Sequence, residues 1–226
     1  MNPGAIIVLS IIAIISALMT YYVVAMLPHR FQEHQRSTLK VFSTAVELRF
    51  PGQMGLTDRV VALSLAVGQR LGLTPSEMRS LEHAARLRDI GLCAIPWKLV
   101  NDRTPGEWSD AERATYDKHT EVSGAMLELV PSLREMAPIV RYHHAPYDGT
   151  DGPTLPQGNN LPVASRIIAV VDAYVARDRL QGDLLARSYL DQQKGQKFDP
   201  AVVEAFLRVL PSARGVESSS ESAAIR

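Results

Sequence analysis

Two patterns of apolar and polar positions divide the chain. From Ala5 to Leu27 nearly every position is apolar, and only Ser10, Ser16, Thr20, Tyr21 and Tyr22 interrupt the run. At ~1.5 Å rise per residue a helix over this stretch is roughly 34 Å long, enough for a hydrocarbon core of ~30 Å with some tilt. The alternative is a cleaved signal peptide, which needs a basic start and a shorter apolar stretch; Met1-Asn2-Pro3-Gly4 supplies no positive charge. Tyr21 and Tyr22 lie near the far end, where amphipathic rings favour the headgroup zone. No Asp, Glu, Lys or Arg precedes Arg30, whereas Arg30, Arg36 and Lys40 follow. By the positive-inside rule the rest of the chain then lies on the cytoplasmic side of the inner membrane, behind a single pass. Ala13 and Ala17 have the small-xxx-small spacing of paired membrane helices, so the span and the helix after it offer a route to a homodimer.

Beyond Pro28 the apolar positions recur at helical period almost throughout. Residues 29 to 49 read as a helix continuing from the span, ended by Phe50-Pro51-Gly52. Asp58 to Leu71 carries Val60, Val61, Leu63, Leu65, Val67 and Leu71, a broad apolar face. Thr74-Pro75-Ser76-Glu77 is a helix start, with Thr74 as cap, Pro75 at the first helical position and Glu77 closing a capping box. That helix is predicted to reach Gly91. Ser109 and Glu112 open another, through His119 towards Leu129, and Leu133 to His144 is a further candidate with Pro138 inside it. Residues 145 to 162 are rich in Pro, Gly, Asp and Asn and read as a long loop. Helix returns over Pro162 to Leu180, and Asp199-Pro200 caps a last one through Leu210. Nothing shows the alternation of half-buried strands. The expected fold class is all-α. The expected domains are a transmembrane helix (1–28), a juxtamembrane helix and linker (29–54), one helical domain (55–211) and a disordered tail (212–226).

Charge and composition narrow the chemistry. The 24 Lys and Arg balance 24 Asp and Glu, and a neutral chain lacks the basic excess of a DNA- or RNA-binding surface. One cysteine, Cys93, excludes an internal disulfide and any cysteine-based zinc cluster. Of six histidines, His29, His34 and His83 read as packed or solvent-facing. The pair His143-His144 stands at a helix end beside the long loop, a common place for ligands on a rigid helical frame. Asp89 and Asp172 sit in apolar stretches, where a carboxylate needs a cation, hydrogen bonds or a metal. Imidazole with carboxylate suits Mn, Fe or Zn.

Motifs then appear in an order that resembles the HD-GYP family, metal-dependent phosphohydrolases that cleave the bacterial messenger cyclic di-GMP. Leu56-Thr57-Asp58-Arg59-Val60 resembles its opening His-x-x-Arg-Val. Ala84-Ala85-Arg86-Leu87-Arg88-Asp89-Ile90-Gly91 resembles its Ala-Ala-x-Leu-His-Asp-Ile-Gly signature. His119 with Gly124, preceded by Glu112, resembles its central histidine step. His143-His144 with Asp148-Gly149 resembles its His-His-Glu-x-x-Asp-Gly. Leu161-Pro162, Arg166 to Val170 and Asp172 follow its later helix, and Phe198-Asp199-Pro200 with Val203 and Phe206 its last one.

The resemblance implies a binuclear site, and the departures fall on it. The first metal's histidines are Leu56 and Arg88 here, and neither offers a lone pair. The second metal's set, Asp89, His119, His143 and His144, is complete, with Asp172 as the further carboxylate. One divalent ion rather than two is expected, iron or manganese ahead of zinc. Arg88 is the candidate substitute for the missing ion, paired with Asp89 or Asp172. Leu92 replaces a phosphate-binding lysine, Ala145 a glutamate, and Asp151-Gly152-Pro153 the Gly-Tyr-Pro, while Arg177-Asp178-Arg179 keeps only part of a basic segment. Two readings stay open: a membrane-tethered metal-dependent phosphodiesterase acting on cyclic di-GMP or a smaller phosphoester, and a non-catalytic relative serving as a nucleotide-binding or protein-interaction module for which a cyclic dinucleotide is the candidate ligand.

Overall fold

The computed structural model describes residues 2–50, 52, 54–102, 105–150, 152 and 155–210. The expected tail, and Asp151 and Pro153 of the altered Gly-Tyr-Pro, lie outside them. Contacts group the chain into two units that divide after Val41.

In the first unit, Asn2 caps helix α1 (Pro3–Tyr21) by accepting from the Gly4 N–H at 3.0 Å. A single π-helical turn, Tyr22–Met26, leads on to α2 (Leu27–Arg49). None of the residues of α1 is buried, and the helix is apolar and long enough to cross a membrane.

The second unit is helical, and no strand occurs among its described residues. After the end of α2 come α3 (Leu56–Arg70), α4 (Pro75–Leu87), the short α5 (Trp97–Asn101), α6 (Asp110–Glu128), α7 (Ala137–Arg141), α8 (Val163–Gln181), α9 (Asp183–Gln192) and α10 (Pro200–Val209). Both predicted capping boxes form. Thr74 N–H donates to Glu77 Oε2 at 2.8 Å, and Ser109 N–H to Glu112 Oε2 at 2.9 Å. Glu112, the acidic residue of the central motif, is therefore a helix cap. Asp199 likewise caps α10 by accepting from Ala201 N–H at 2.8 Å, and forms an ion pair with Arg166 of α8.

The core follows the periodicity. On α8 the stripe Ala164, Ile167, Ile168, Val171, Tyr174 and Val175 is buried, and α8 packs on α3 and α9. Leu81, Ala84 and Ala85 of α4 are fully buried and pack towards α3. A second cluster joins Phe50, at the end of α2, to Leu92, Ile95 and Leu99. Glu47 of α2 is buried and accepts from the Gly55 and Thr57 N–H groups at 3.1 and 2.8 Å, which fixes the N-terminus of α3.

Three elements differ from expectation. Helix α4 ends at Leu87, and residues Ile90–Ala94 form a 3-10 segment instead of completing it. The Leu133–His144 candidate breaks into a 3-10 turn, Arg134–Met136, and the five-residue α7, because Pro138 lacks an N–H and fits only a first turn. Helix α9 had no sequence signal, since it follows α8 with only Gly182 (φ 87°) between them.

Candidate metal centre

The centre is built where α4 stops. Asp89 follows the last turn of α4, and the 3-10 segment after it lies against α6. Ser123 of α6 ties the junction: its Oγ–H donates to Arg88 O at 2.9 Å and its Oγ accepts from Gly91 N–H at 2.8 Å. Only glycine fits at 91. A Cβ there would collide with the His119 carbonyl oxygen and come within 2.7 Å of the Ser123 N and Oγ atoms.

Three histidines meet beside Asp89. His119 is fully buried on α6, His143 is fully buried in the turn after α7, and His144 follows it on the wall of the adjoining cavity. Because α7 ends at Arg141, the two adjacent residues are not splayed by a helical twist, and their rings lie with centroids 4.0 Å apart. Ring centroids of His119 lie 5.6 Å from His143 and 5.2 Å from His144. One ligand atom from each histidine lies within 4.8 Å of those of the others.

Hydrogen bonds set the tautomers. His119 Nδ1 lies 2.7 Å from the Tyr116 carbonyl oxygen, and His143 Nδ1 lies 2.6 Å from that of Val140. A carbonyl only accepts, so each Nδ1 carries a proton, and in the neutral ring each Nε2 is then the lone-pair donor. Both Nε2 atoms are buried and have no hydrogen-bond partner. Asp89 Oδ1 lies 3.7 Å from His119 Nε2 and 4.0 Å from His143 Nε2. Two ligand atoms sharing one ion at ~2.1 Å are themselves roughly 3–4 Å apart, a spacing the two Asp89–histidine distances meet, and imidazole with carboxylate suits a transition metal in chemistry.

Arg88 occupies the other side of Asp89. Its guanidinium is 4% exposed, with Nη2 2.9 Å from Asp89 Oδ2, Nε donating to Asp172 Oδ1 at 2.8 Å and Nη1 to Ala85 O at 3.0 Å. One cation thus spans two carboxylates from α8 and the end of α4. Burial alone would raise the Asp89 pKa, but Arg88 and then His119 and His143 outweigh it and hold the carboxyl below its ordinary range. Burial, then repulsion from His119, pushes His143 down to about 4. Burial, with the neighbouring histidines, also holds His144 well below an ordinary histidine.

The structure thus brings His119 and His143 to Asp89, sets His144 beside the two histidines, and joins Asp172 to Asp89 through Arg88. Leu92 is fully buried with Phe50 and belongs to the core, while Ala145 lines the cavity. The cavity encloses about 1010 Å³ and is lined by His143, His144, Asp172, Arg113, Arg177 and Lys197 among others. Tyr116 and Trp108 also line it, and sequence reasoning missed both. The signal available for Tyr116 was its place one turn before His119 on the same helix.

A family profile described as the HD domain matches residues 40–202. The chain belongs to the HD-domain superfamily, HD-GYP type. This HD-domain chain is 31% identical over 186 residues to the cyclic di-GMP phosphodiesterase response regulator RpfG of Xanthomonas campestris pv. campestris, a match covering 78% of this chain and 48% of the relative. It is 28% identical over 187 residues to 3'3'-cGAMP-specific phosphodiesterase 2 of Vibrio cholerae, covering 78% and 35%. The HD-domain chain therefore spans less than half the length of these two curated relatives. Its fold matches a cyclic GMP-AMP-specific phosphodiesterase of V. cholerae, V-cGAP3, with TM-score 0.61 at 18% identity, covering 79% of this chain and 49% of that one. It also matches an HDG"Y"P protein of Bdellovibrio bacteriovorus with TM-score 0.54 at 22% identity, covering 66% and 49%. Both are matches of fold.

Proposed function

We propose that this HD-domain chain binds a cyclic dinucleotide at a one-ion centre and hydrolyses its phosphodiester. The observation that carries the reading is the pair of buried, unpartnered Nε2 atoms of His119 and His143, 3.7 and 4.0 Å from Asp89 Oδ1, beside a cavity of about 1010 Å³. Asp89, His119, His143 and His144 are the assigned ligands, and Asp172 belongs to the set through Arg88. The ion is iron or manganese. When bound it would supply Lewis-acid charge to a phosphoryl oxygen and acidify water.

The chain's own groups do the rest. The Tyr116 and Val140 carbonyls hold the His119 and His143 rings in the donor tautomer. Arg88 stands where a second cation would, a fixed positive charge against Asp89 and Asp172. Arg113, Arg177 and Lys197 on the cavity wall supply charge for phosphates. Arg88 offsets one of two carboxylates, so with neutral histidines the cluster is net negative. A divalent ion makes it net positive, and phosphate binding therefore follows ion binding.

The reading also holds that α1 anchors the protein in the cytoplasmic membrane, with the domain at 55–211 on the cytoplasmic side and a homodimer formed through α1 and α2. The related names support the substrate class, and the apolar, unburied α1 supports the anchor. The buried Arg88 ion pairs favour a second reading, a non-catalytic module that binds the nucleotide without cleaving it.

The test uses the full chain, recovered from membrane fractions in detergent and loaded with Mn(II) or Fe(II). Cyclic di-GMP and 3'3'-cGAMP should bind only after loading and be hydrolysed to linear products. Binding without hydrolysis selects the second reading. No binding of either, or recovery of a soluble chain lacking residues 1 to 30, contradicts the nucleotide or the anchoring claim respectively.

A further inference from the structure

The ring of Tyr116 packs against the cluster of Phe50, Leu92, Ile95 and Leu99, and against Trp108 at a centroid distance of 4.7 Å. Its other face meets His119, centroids 4.8 Å apart, and its carbonyl oxygen accepts from His119 Nδ1–H. The side chain is thus fixed at three sides and lines the large cavity next to His143, His144 and Asp172. Its backbone has a structural task. Its hydroxyl makes no hydrogen bond among the described residues, and the half-buried residue lines the cavity.

We propose that Tyr116 contacts substrate, its phenol O–H donating to a non-bridging phosphoryl oxygen of an ester held at the Asp89, His119, His143 and His144 centre. The assignment rests on the phosphoester reading above and adds a residue that none of the sequence motifs contains. A phenol is an ordinary neutral O–H donor at physiological pH. A neutral O–H can hydrogen-bond an incoming phosphate without adding negative charge. A phenylalanine would pack identically and donate nothing.

The experiment compares wild type with Tyr116→Phe, as full chains in detergent loaded with Mn(II). Ion content and Tm are measured beside the affinities for inorganic phosphate and cyclic di-GMP. Tyr116→Phe should keep ion content and Tm and bind inorganic phosphate about tenfold more weakly, the size of one hydrogen bond to a charged acceptor. Equal phosphate affinity overturns the proposal. Loss of the ion in Tyr116→Phe also overturns it, because the residue would then act only through His119. Wild type that binds phosphate but no dinucleotide, with Tyr116→Phe weaker, supports Tyr116 and overturns the dinucleotide reading. Wild type that binds neither overturns both.

Discussion

Arg88 makes three polar contacts from a nearly sealed position, and removing it would leave Asp89 and Asp172 without the cation that both bond. Breaking one partner out of a buried ion pair typically costs ~3–5 kcal/mol. Arg88→Ala should lower stability by about that amount in thermal unfolding, and equal Tm values for variant and wild type would make Arg88 an incidental charge. His143 gives a second test, in pH. Its folded value of about 4 lies below the ordinary ~6.5, so the unfolded chain takes up the extra proton first as pH falls. The stability contributed by neutral His143 is therefore complete above pH ~6.5 and drains away towards pH 4. His144 and, at lower pH, Asp89 act with the same sign. With ions chelated, Tm should fall between pH 6.5 and 4.5, and His143→Gln should flatten that fall. A Tm independent of pH over this window would contradict the buried neutral assignment.

At the scale of elements, helices with caps and clean periodicity were readable and junctions were not. Thr74-Pro75-Ser76-Glu77 and Ser109 with Glu112 carry their capping chemistry within four residues, so both boxes form where expected. The end of α4 is set by a long-range contact, Ser123 Oγ bridging Arg88 O and Gly91 N, which no local pattern encodes. The meeting of His119 with His143 and His144 is equally non-local, because it depends on α7 packing against α6. Leu92 shows the opposite limit. The family resemblance marked it as a lost cation, but its role as a core residue with Phe50 needed the fold. Gly91 marks how tight the junction is. Gly91→Ala should cost ~1–3 kcal/mol by overpacking and should weaken ion binding, although the residue donates no ligand. Tm and ion affinity indistinguishable from wild type would show that α6 yields freely at this point.

For the whole molecule, the donor set was implied by the family resemblance, and the structure adds the approach of the three histidines to one another and of two of them to Asp89. His119 and His143, with His144 beside them, approach one oxygen of Asp89, while Arg88 pairs with the other. The central claim is therefore a count: one ion, with a guanidinium in the place of a second. It is tested most directly by metal content per full chain after loading with Mn(II) or Fe(II). Wild type should hold one ion, His143→Ala with His144→Ala none, and Leu56→His with Arg88→His two. Two ions at full occupancy in wild type, or none, would contradict the account.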